Sequence, residues 1–575
     1  MATTYLSPGV YVEEVDKGTK PIQVLGTSTP AFLGITAQAS EKFPATGAPD
    51  PEKLVLNKPQ LITNWTQYKT VFGGFVKGAY LPDAIYGYFN NGGGPCYITS
   101  LLAVDEDEKG EKASLSLSEA TVAEIQKAEA DGEENPKPST RGRSNAKNGF
   151  TVTAKLGGRY GTDIQIFIAH EKGTDGKPNG QFTMRVEYPS VSGTMVERLA
   201  GLIIKDEKLL NTAVRNDKNE PQPAQFDAVD ITVSGSSIPP ENPRNQKGNP
   251  IPYQLTLATM PDTTIRPLDQ NLIIGDEAEQ TGIESFTALD NVRLIICPDL
   301  MAGLPKDGSI LEDENAKKRV FAVQKAMQAH CERLRYRFAI LDTPPGLNAK
   351  QVKEWRSELG IDSSYCALYY PWLEVADFSG SNGKTTLVPP SGYMAGVYNR
   401  VDGNRGVHKA PANEAPLGVI GLERRLTKGE QDTLNPVGIN CFRFFAGGRG
   451  IKIWGARTLS SDGSWRYINV RRLFITIAAS LDEGLQWVVF EPNDSVLWSK
   501  VRRDVGAFLG TFWLNGALFG NTQSQAFYVK CDEELNPQPI RDLGQLIIEV
   551  GLCPVKPAEF VILRLSQWAG PNAEG

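Results

Sequence analysis

The sequence predicts a multidomain protein of mixed α+β and α/β class, with a mixed-sheet core, an inserted β-rich domain and extended strand arms at both ends. Three observations predict this class. A chain of 575 residues is too long for one hydrophobic core. Short, continuously apolar strands alternate with helix-period segments over residues 292–370, which is typical of a parallel or mixed sheet covered by helices. Strand patterns dominate residues 150–261.

The first hundred residues predict an arm followed by a compact region. Residues 5–15 are strand-like and predict the extended arm, and residues 31–35 predict a short buried strand. A helix is predicted to begin at Asn64 and to end near Phe72. A glycine-rich turn then leads into a strand at residues 96–98.

The composition changes after residue 104. Residues 105–144 are rich in Glu, Lys, Ser and Pro, and they predict a solvated helix over about residues 117–130 followed by a linker. The β-rich stretch that follows contains clear strand patterns at residues 164–168 and 182–186.

The central region predicts alternating strands and helices. Strand patterns at residues 292–299, 338–342 and 365–370 are separated by two predicted helices, the second near residues 352–359. The first helix shows apolar-face spacings of three and four at Val320, Val323, Met327, His330 and Leu334.

The last third predicts a mixed unit. Strands at residues 441–445 and 451–455 flank a glycine-rich turn. Asp494 is predicted to cap a helix that runs to about Leu514. Two later strands are predicted, one with Phe527, Tyr528 and Val529 and the other with Leu546, Ile547, Ile548 and Val550.

Together these patterns predict six segments in the chain. They are an N-terminal arm at 1–20, a middle domain made of 21–100 and 284–388, a charged helix and linker at 101–149, an inserted β-rich domain at 150–283, a C-terminal domain at 389–556 and a C-terminal arm at 557–575.

Bulk composition argues against several functions. The net charge of -7 argues against a general nucleic-acid binder. No apolar run reaches the roughly 20 residues of a membrane helix, and no basic region followed by an apolar stretch marks a signal peptide. The seven cysteines are scattered without a Cys-x-x-Cys pair, so we expect reduced thiols.

The sequence shows no clear catalytic machinery. The run at residues 383–385, Gly-Lys-Thr, matches part of a phosphate loop, but Phe378 stands where that loop needs glycine and two prolines follow. The Gly-Gly-Arg-Gly run at 447–450 predicts a tight turn between strands. We therefore predict no catalytic residue, cofactor or metal site, and we expect His330 to pack in the core. No histidine has neighbours at metal-ligand spacing: His170, His330 and His408.

Both ends of the chain predict strands without partners. The closing run is apolar, β-branched and nearly uncharged, and an unpaired strand of this kind is an aggregation hazard. We therefore expect the ends to pair with another chain, which indicates an assembly protein. The apolar residues of the closing run are Phe560, Val561, Ile562, Leu563 and Leu565.

The helix after Asp494 separates apolar from basic residues. Its basic residues Lys500, Arg502 and Arg503 fall away from the apolar face. A solvated face is the usual interpretation, and a basic ridge that docks on an acidic partner is the alternative. The apolar face consists of Leu497, Val501, Val505, Phe508 and Phe512.

Seven short segments show a family resemblance: residues 7–14 (Ser-Pro-Gly-Val-Tyr-Val-Glu-Glu), 91–98 (Asn-Gly-Gly-Gly-Pro-Cys-Tyr-Ile), 389–398 (Pro-Pro-Ser-Gly-Tyr-Met-Ala-Gly-Val-Tyr), 435–440 (Asn-Pro-Val-Gly-Ile-Asn), 454–458 (Trp-Gly-Ala-Arg-Thr), 470–473 (Val-Arg-Arg-Leu) and 490–493 (Phe-Glu-Pro-Asn). In this order they resemble the contractile tail sheath proteins of phages and of phage-tail-like injection particles. The resemblance covers residues 4–98 and 290–567, whereas residues 101–283 contain no family motif.

The resemblance implies a structural subunit that polymerises as stacked hexameric rings around an inner tube. Contraction of this sheath would drive the tube through a target envelope, and the terminal arms would add strands to neighbouring subunits. The implied partners are further copies of the chain, the inner tube protein, and baseplate and terminal cap proteins, with no nucleic acid and no membrane insertion. It also implies an outer position for the inserted domain and assembly in the bacterial cytoplasm, as part of a phage tail or injection particle.

Carried onto this chain, the resemblance assigns roles to the arms. Val10, Tyr11 and Val12 match the donated N-terminal strand, and residues 560–565 match the C-terminal one. Lys500 and Arg503 lie on the helix that is expected to face the tube. From strand pattern and position, we expect the strands at residues 527–529 and 546–550 to accept the arms of neighbours: Phe527, Tyr528, Val529, Leu546, Ile547, Ile548 and Val550.

Two alternatives stay open at this point. A static tail or capsid protein is one, although a tube protein would be smaller and more barrel-like than residues 292–370 indicate. A cytosolic enzyme with an α/β core is the other, and its site would lie near the carboxyl ends of the strands. Asp299 and Asp342 end apolar strands and would be its first candidates, but helix capping or turn formation is the simpler interpretation.

Overall fold

The computed structural model describes residues 22–42, 49–104, 112–117, 149–157, 164–173, 177–190, 193–216, 218–226, 228–234, 237–245, 248–255, 265, 267–379 and 384–564. The predicted N-terminal strand of Val10, Tyr11 and Val12, the predicted charged helix beyond residue 117 and Leu565 lie outside these residues. Residues 112–117, which we expect to belong to the charged helix and linker, form a β-strand instead. The described residues form two compact units. The first consists of residues 28–400 and 412–459, and the second of residues 22–27, 401–411 and 460–564.

The first unit contains most of the strands. They are β1 (Pro30–Thr36), β2 (Ser40–Lys42), β3 (Pro49–Leu54), β4 (Gln60–Ile62), β5 (Cys96–Ala103), β6 (Lys112–Leu117), β7 (Gly149–Gly157), β8 (Gln165–Lys172), β9 (Pro178–Ser190), β10 (Gly193–Lys205), β11 (Lys208–Arg215), β12 (Pro221–Pro223), β13 (Val229–Ser234), β14 (Tyr253–Gln254), β15 (Leu294–Ile296), β16 (Phe338–Asp342), β17 (Cys366–Tyr370), β18 (Leu373–Ala376), β19 (Thr385–Val388), β20 (Val419–Leu422), β21 (Ile439–Phe445) and β22 (Gly450–Ile453). Its helices are α1 (Trp65–Phe72), α2 (Leu81–Asn90), α3 (Gln270–Ile274), α4 (Glu314–Leu334), α5 (Ala349–Leu359), α6 (Ser391–Arg405, of which residues 401–405 belong to the second unit) and α7 (Lys428–Leu434).

An eight-stranded sheet forms the centre of the first unit. Its strand order is β22-β21-β17-β16-β15-β1-β5-β4. The strands from β21 to β5 are parallel, and the edge strands β22 and β4 run antiparallel to their neighbours. Every residue of β16 and β17 is buried, as expected for parallel strands covered on both faces. The predicted mixed sheet is confirmed, and it also includes β21 and β22, which we had expected in the C-terminal domain.

Side-chain caps begin two helices of the first unit, and the start of α1 at Asn64 is the predicted one. The side chain of Asn64 accepts a hydrogen bond from the backbone N–H of Gln67 and caps α1. Asp313 caps α4 in the same way, and the stripe of α4 that contains Val320 and Met327 is buried. His330 on this stripe is buried too, which confirms its predicted place in the core.

The described residues between 112 and 255 form an antiparallel β-rich region within the first unit. One sheet has the order β12-β11-β10-β9-β8-β14, and a second has the order β13-β7-β6. Both sheets contribute to one hydrophobic core, which includes Val152, Ile166 and Phe182. The strand patterns predicted at residues 164–168 and 182–186 correspond to β8 and β9.

The second unit is built on two long helices, and its elements are α8 (Ile468–Gly484), α9 (Ser495–Leu514), α10 (Gln523–Ala526), β23 (Phe527–Lys530), α11 (Gln538–Asp542) and β24 (Glu549–Leu552). The side chain of Asp494 caps α9, and α9 ends at Leu514, so both predicted limits are confirmed. The predicted apolar face of α9 is buried against α8, where Leu473 and Ile477 contribute to the same core.

Candidate assembly interfaces

The second unit presents a small sheet with open edges. β23 and β24 pair antiparallel, with Phe527 opposite Leu552 and Val529 opposite Val550. One face of this sheet packs on the core of the helices through the same apolar side chains. Among the described residues, no third strand joins the sheet. Backbone groups on its outer edges are therefore available to pair with an added strand.

The other face of this sheet is covered by a tyrosine. Tyr528 lies opposite Gly551, and a Cβ atom at Gly551 would come within 2.0 Å of the Tyr528 ring. The Tyr528 hydroxyl donates a hydrogen bond to the carboxylate of Glu549 at 2.5 Å, which fixes the ring across the strand pair. The ring shields the glycine backbone and so stabilises a sheet of only two strands.

The second predicted acceptor strand needs a correction. Leu546, Ile547 and Ile548 precede β24 and have no strand structure, so of the four predicted residues only Val550 lies in a strand. The reason is the buried side chain of Asn536, which accepts a hydrogen bond from the N–H of Ile547 at 2.7 Å and donates one to its carbonyl at 3.0 Å. This side chain takes the place of a partner strand at Ile547.

The C-terminal arm is an exposed apolar segment. Phe560, Val561, Ile562 and Leu563 are 74–81% exposed. The prediction of a strand here is wrong for the single chain, because residues 560–564 have no secondary structure. A strand requires a partner for its backbone groups, and no described residue of the chain supplies one.

The outer face of α9 presents two basic side chains. Lys500 and Arg503 are exposed, and the Arg503 guanidinium also contacts the carboxylate of Asp504 next to it. Arg502 differs, because its guanidinium donates hydrogen bonds to the Cys531 carbonyl and the Ser499 hydroxyl. The predicted ridge thus consists of Lys500 and Arg503, with Arg502 engaged within the unit.

Residues 22–27, which lead out of the predicted N-terminal arm, run along α8. A Cβ atom at Gly484 would lie 2.6 Å from the Ile22 side chain, so glycine permits this close contact. The backbone N–H of Leu25 donates to the Ser480 hydroxyl at 3.1 Å. The sequence analysis missed this contact line, although Arg472, Thr476, Ser480 and Gly484 recur at four-residue spacing, which places them on one side of a helix.

A buried ion pair ends the same contact line. The Arg472 guanidinium binds the Asp402 carboxylate, and it also donates to the Thr27 carbonyl at 3.0 Å. The Thr27 hydroxyl donates to the other side of the pair, the Asp402 carboxylate, at 2.6 Å. The root of the N-terminal arm is therefore held by both members of the pair.

The two aspartates that an enzyme hypothesis would select serve as helix caps. Asp299 accepts backbone hydrogen bonds from Ile35, Tyr80 and Leu81, where α2 begins. Asp342 accepts from the backbone N–H and hydroxyl of Ser391, the first residue of α6. Burial raises the pKa of each carboxyl group to about 7. The simpler interpretation of both residues, as helix caps, is confirmed.

The remaining chemical candidates have ordinary structural places. Lys384 and Thr385 lie at the start of β19, so no helix opens at the Gly-Lys-Thr run. All seven cysteines are free thiols, and all but Cys553 are buried. The described ranges contain neither a cluster of three metal-ligating side chains nor a helix long and apolar enough to cross a membrane.

Family models match the C-terminal part of the chain. Residues 312–459 match the phage tail sheath protein central domain, and residues 460–567 match the phage tail sheath C-terminal domain. Curated relatives have the same description. The chain is 28% identical over 241 residues to the tail sheath protein of Vibrio phage KVP40 and 29% identical over 228 residues to that of Burkholderia phage BcepMu. These alignments cover 39% and 36% of this chain but only 35% and 45% of the relatives.

Solved sheath structures share the fold over nearly the whole chain. The helical sheath of the anti-feeding prophage in its contracted state has a TM-score of 0.52 at 23% identity, covering 98% of this chain and 100% of the other. The contracted PVC sheath of an extracellular contractile injection system has a TM-score of 0.51 at 21% identity, covering 99% of both chains. Residues 312–567 thus match models of the contractile tail sheath family, and the predicted resemblance to that family is confirmed.

Proposed function

We propose that this chain is the repeating structural subunit of a contractile sheath. Copies form stacked hexameric rings around an inner tube, and contraction drives the tube through a target envelope. Two findings support this role: residues 312–567 match tail sheath family models, and the fold is shared with sheaths solved in the contracted state. The free energy for contraction is stored in the assembly, so the role requires neither catalysis nor a cofactor.

Strand donation through the arms links the subunits. One observation carries this proposal: the same chain has open sheet edges at β23 and β24 and an exposed apolar arm at residues 560–563. An arm that adds to such an edge buries its apolar side chains and satisfies backbone groups on both strands. Val10, Tyr11 and Val12 make the equivalent link at the N-terminal end. Main-chain links of this kind persist while the bodies of the subunits reorient.

The acceptor edge is narrower than the sequence predicted. Of the proposed acceptor residues, Phe527, Tyr528, Val529 and Val550 lie in β23 and β24. Leu546, Ile547 and Ile548 instead support the sheet from the segment in front of β24, where Leu546 and Ile548 pack against the core. We therefore assign strand acceptance to β23 and β24 alone.

Lys500 and Arg503 form the contact with the inner tube. Both side chains are exposed on a helix whose opposite face is fixed in the core, so they are held in a defined direction. Exposed ion pairs contribute under about 1 kcal/mol each. Contacts of this strength hold an extended sheath through their number and break together when the sheath contracts.

We extend the proposal to the place of the subunit in the whole particle. The β-rich region over residues 150–283 occupies the outer surface of the sheath. The subunits assemble in the bacterial cytoplasm into a phage tail or injection particle, with a baseplate at one end and a cap protein at the other. The shared fold with a chain in the contracted baseplate structure of the anti-feeding prophage supports the association with a baseplate.

A backbone-specific substitution in the C-terminal arm tests the proposal. Ile562→Pro removes a backbone N–H donor and should abolish polymers in negative-stain electron microscopy. Ile562→Val keeps the backbone and most of the apolar surface, and it should polymerise like the unmodified chain. Polymers formed by Ile562→Pro at wild-type yield would refute strand donation. Absence of polymers from the wild-type chain, even with tube protein added, would refute the sheath role.

A further inference from the structure

An exposed aromatic side chain lies just before α9. Phe490 is 103% exposed and has a left-handed backbone, with φ of 68°. Such a backbone is rare for a bulky residue and persists only where the surrounding structure holds it. A large apolar side chain in this position gains nothing from the fold of its own unit.

The turn that presents Phe490 is firmly held on both sides. The N–H of Glu491 donates to the Val488 carbonyl at 3.1 Å. The Asn493 side chain donates to the Gln545 carbonyl and accepts from the Trp498 indole N–H, each at 2.8 Å. These contacts hold the backbone around residues 489–491, called here the 490 turn, which presents Phe490 beside Glu491.

A pocket lies at the opposite end of α9. It has a volume of about 430 Å³, and its apolar lining includes Val407, Phe512 and Ala517, all of them buried. An apolar cavity of about 150 Å³ already holds benzene, so this volume has room for a phenyl ring with adjoining backbone. The pocket is called here the α9 end pocket.

The charges of the 490 turn and the α9 end pocket are complementary. Arg405 lines the pocket and is exposed, and it makes no ion pair or hydrogen bond with a side chain in the described part of the chain. Asp402 also lines the pocket, but its carboxylate is already paired with Arg472. On the 490 turn, Glu491 likewise has no side-chain partner among the described residues. Glu491 on one surface and Arg405 on the other are thus an unpaired anion and an unpaired cation.

The two surfaces cannot meet within one chain. The 20 residues of α9 span about 30 Å, and the 490 turn and the pocket lie near opposite ends of this helix. We propose that the 490 turn of one copy docks into the α9 end pocket of a second copy. Phe490 lies against Val24, an exposed apolar residue of the pocket lining, and Glu491 pairs with Arg405. Because the two surfaces differ, the contact is heterologous and generates a ring or a helical stack.

The inner tube is a less suitable partner for the 490 turn. A tube surface that complements Lys500 and Arg503 is acidic, and it would repel Glu491 beside the phenyl ring. The pocket of a second copy offers a cation at the matching place. This inference rests on the proposed assembly of the chain into a sheath, and it adds a side-chain contact that is independent of the arms.

A reciprocal charge exchange in the full chain tests the contact. Glu491→Arg and Arg405→Glu should each raise the concentration needed for polymerisation about tenfold, as measured by sedimentation and electron microscopy. The double variant should return to within about twofold of the wild type, because the ion pair is restored in the opposite sense. Two single variants that assemble like the wild type, or a double variant that is no better than either, would overturn the contact.

Phe490→Ser tests the apolar part of the same contact. It should raise the polymerisation concentration about tenfold or more while its urea midpoint stays at or above that of the wild type, since Phe490 is exposed and its backbone is strained. Leu543→Ser is the control, because Leu543 is another apolar residue of the same unit with a largely exposed side chain, at 71%. If Phe490→Ser polymerises normally while Ile562→Pro does not polymerise, this inference is overturned and the proposed function stands. A wild-type chain that never polymerises overturns both this inference and the proposed function.

Discussion

Arg472 and Asp402 form a two-pronged ion pair inside the second unit, with nitrogen–oxygen distances of 2.9 and 2.5 Å. Both side chains are almost fully buried. Their remaining hydrogen-bonding capacity is directed to Thr27, whose carbonyl and hydroxyl they bind. A pair of charges taken out of water is stable only with such complete satisfaction. The pair thus connects α8, the end of α6 and the root of the N-terminal arm.

Removing one member of this pair should destabilise the second unit strongly. Asp402→Ala leaves the Arg472 charge buried without its partner, and we expect the free energy of unfolding to fall by about 3 kcal/mol or more. Lys530→Ala is the control, because it breaks an ion pair with Glu534 at the protein surface, and it should lower the free energy of unfolding far less. Urea unfolding followed by tryptophan fluorescence measures both. Equal effects of the two substitutions would contradict the assigned role of the buried pair.

Loss of the Thr27 hydroxyl contact with this pair should loosen the root of the N-terminal arm. Thr27 is held by Asp402 through its hydroxyl, whereas Leu25 is held separately by Ser480. Thr27→Val removes only the hydroxyl contact, with little change of shape. We expect faster proteolytic cleavage within residues 1–27 of this variant, measured by mass spectrometry. Thr427→Val serves as the comparison, since it removes a cap at α7 in the other unit and should leave cleavage at the N-terminal end unchanged.

Local signals in the sequence predicted most of the elements, and tertiary contacts explain the misses. The limits of α1 and α9 follow from capping side chains and apolar periodicity, which are encoded within a few residues. The position of β21 beside β17 depends on parallel pairing between distant segments, which periodicity does not encode. Leu546, Ile547 and Ile548 look like a strand in sequence, yet the side chain of Asn536 replaces the strand partner.

Some of the assembly surfaces could be predicted from the sequence, and others are visible only in the structure. The exposed apolar arm and the basic residues of α9 could be predicted, because they are deviations from what a single globular chain requires. The Asp402–Arg472 pair and the pocket at the end of α9 could not be predicted, because each joins segments that lie far apart in sequence. The left-handed backbone of Phe490 is likewise visible only in three dimensions.

Asn536→Asp should weaken the acceptor sheet without changing its size. The Asn536 amide donates hydrogen bonds to the carbonyls of Asp532 and Ile547, and a carboxylate has no proton to donate to either. The buried side chain would then hold a negative charge against two carbonyl oxygens, so we expect a loss of about 2 kcal/mol or more in unfolding free energy. Hydrogen exchange at β24 should accelerate in the variant. Unchanged protection of β24 would show that Asn536 does not support this sheet.

Reversing the charges of the α9 ridge should weaken tube binding selectively. The double variant Lys500→Glu/Arg503→Glu presents acidic side chains where we propose contact with an acidic tube, and co-sedimentation with tube protein should fall several-fold. Arg466→Glu, an exposed arginine outside α9, should bind like the wild type. Self-assembly through the arms should survive in both variants. Tube binding by the double variant at full strength and low salt would exclude this face as the docking site.

The buried cap of α6 predicts how stability depends on pH. Burial raises the pKa of Asp342 to about 7, so between about pH 4 and pH 7 the folded chain holds a proton that the unfolded chain releases. The stability from this protonated group is complete below about pH 4 and is lost as the pH rises through about 7. Asp342→Asn keeps the acceptor for the Ser391 N–H and can donate to its hydroxyl, so the fold should persist. The urea midpoint of the variant should therefore fall less between pH 5 and pH 7.5 than that of the wild type. Asp290→Asn changes an exposed aspartate in the same unit, and its urea midpoint should depend on pH as in the wild type. If the urea midpoint of Asp342→Asn also depends on pH as in the wild type, the Asp342 carboxyl group does not titrate in this range.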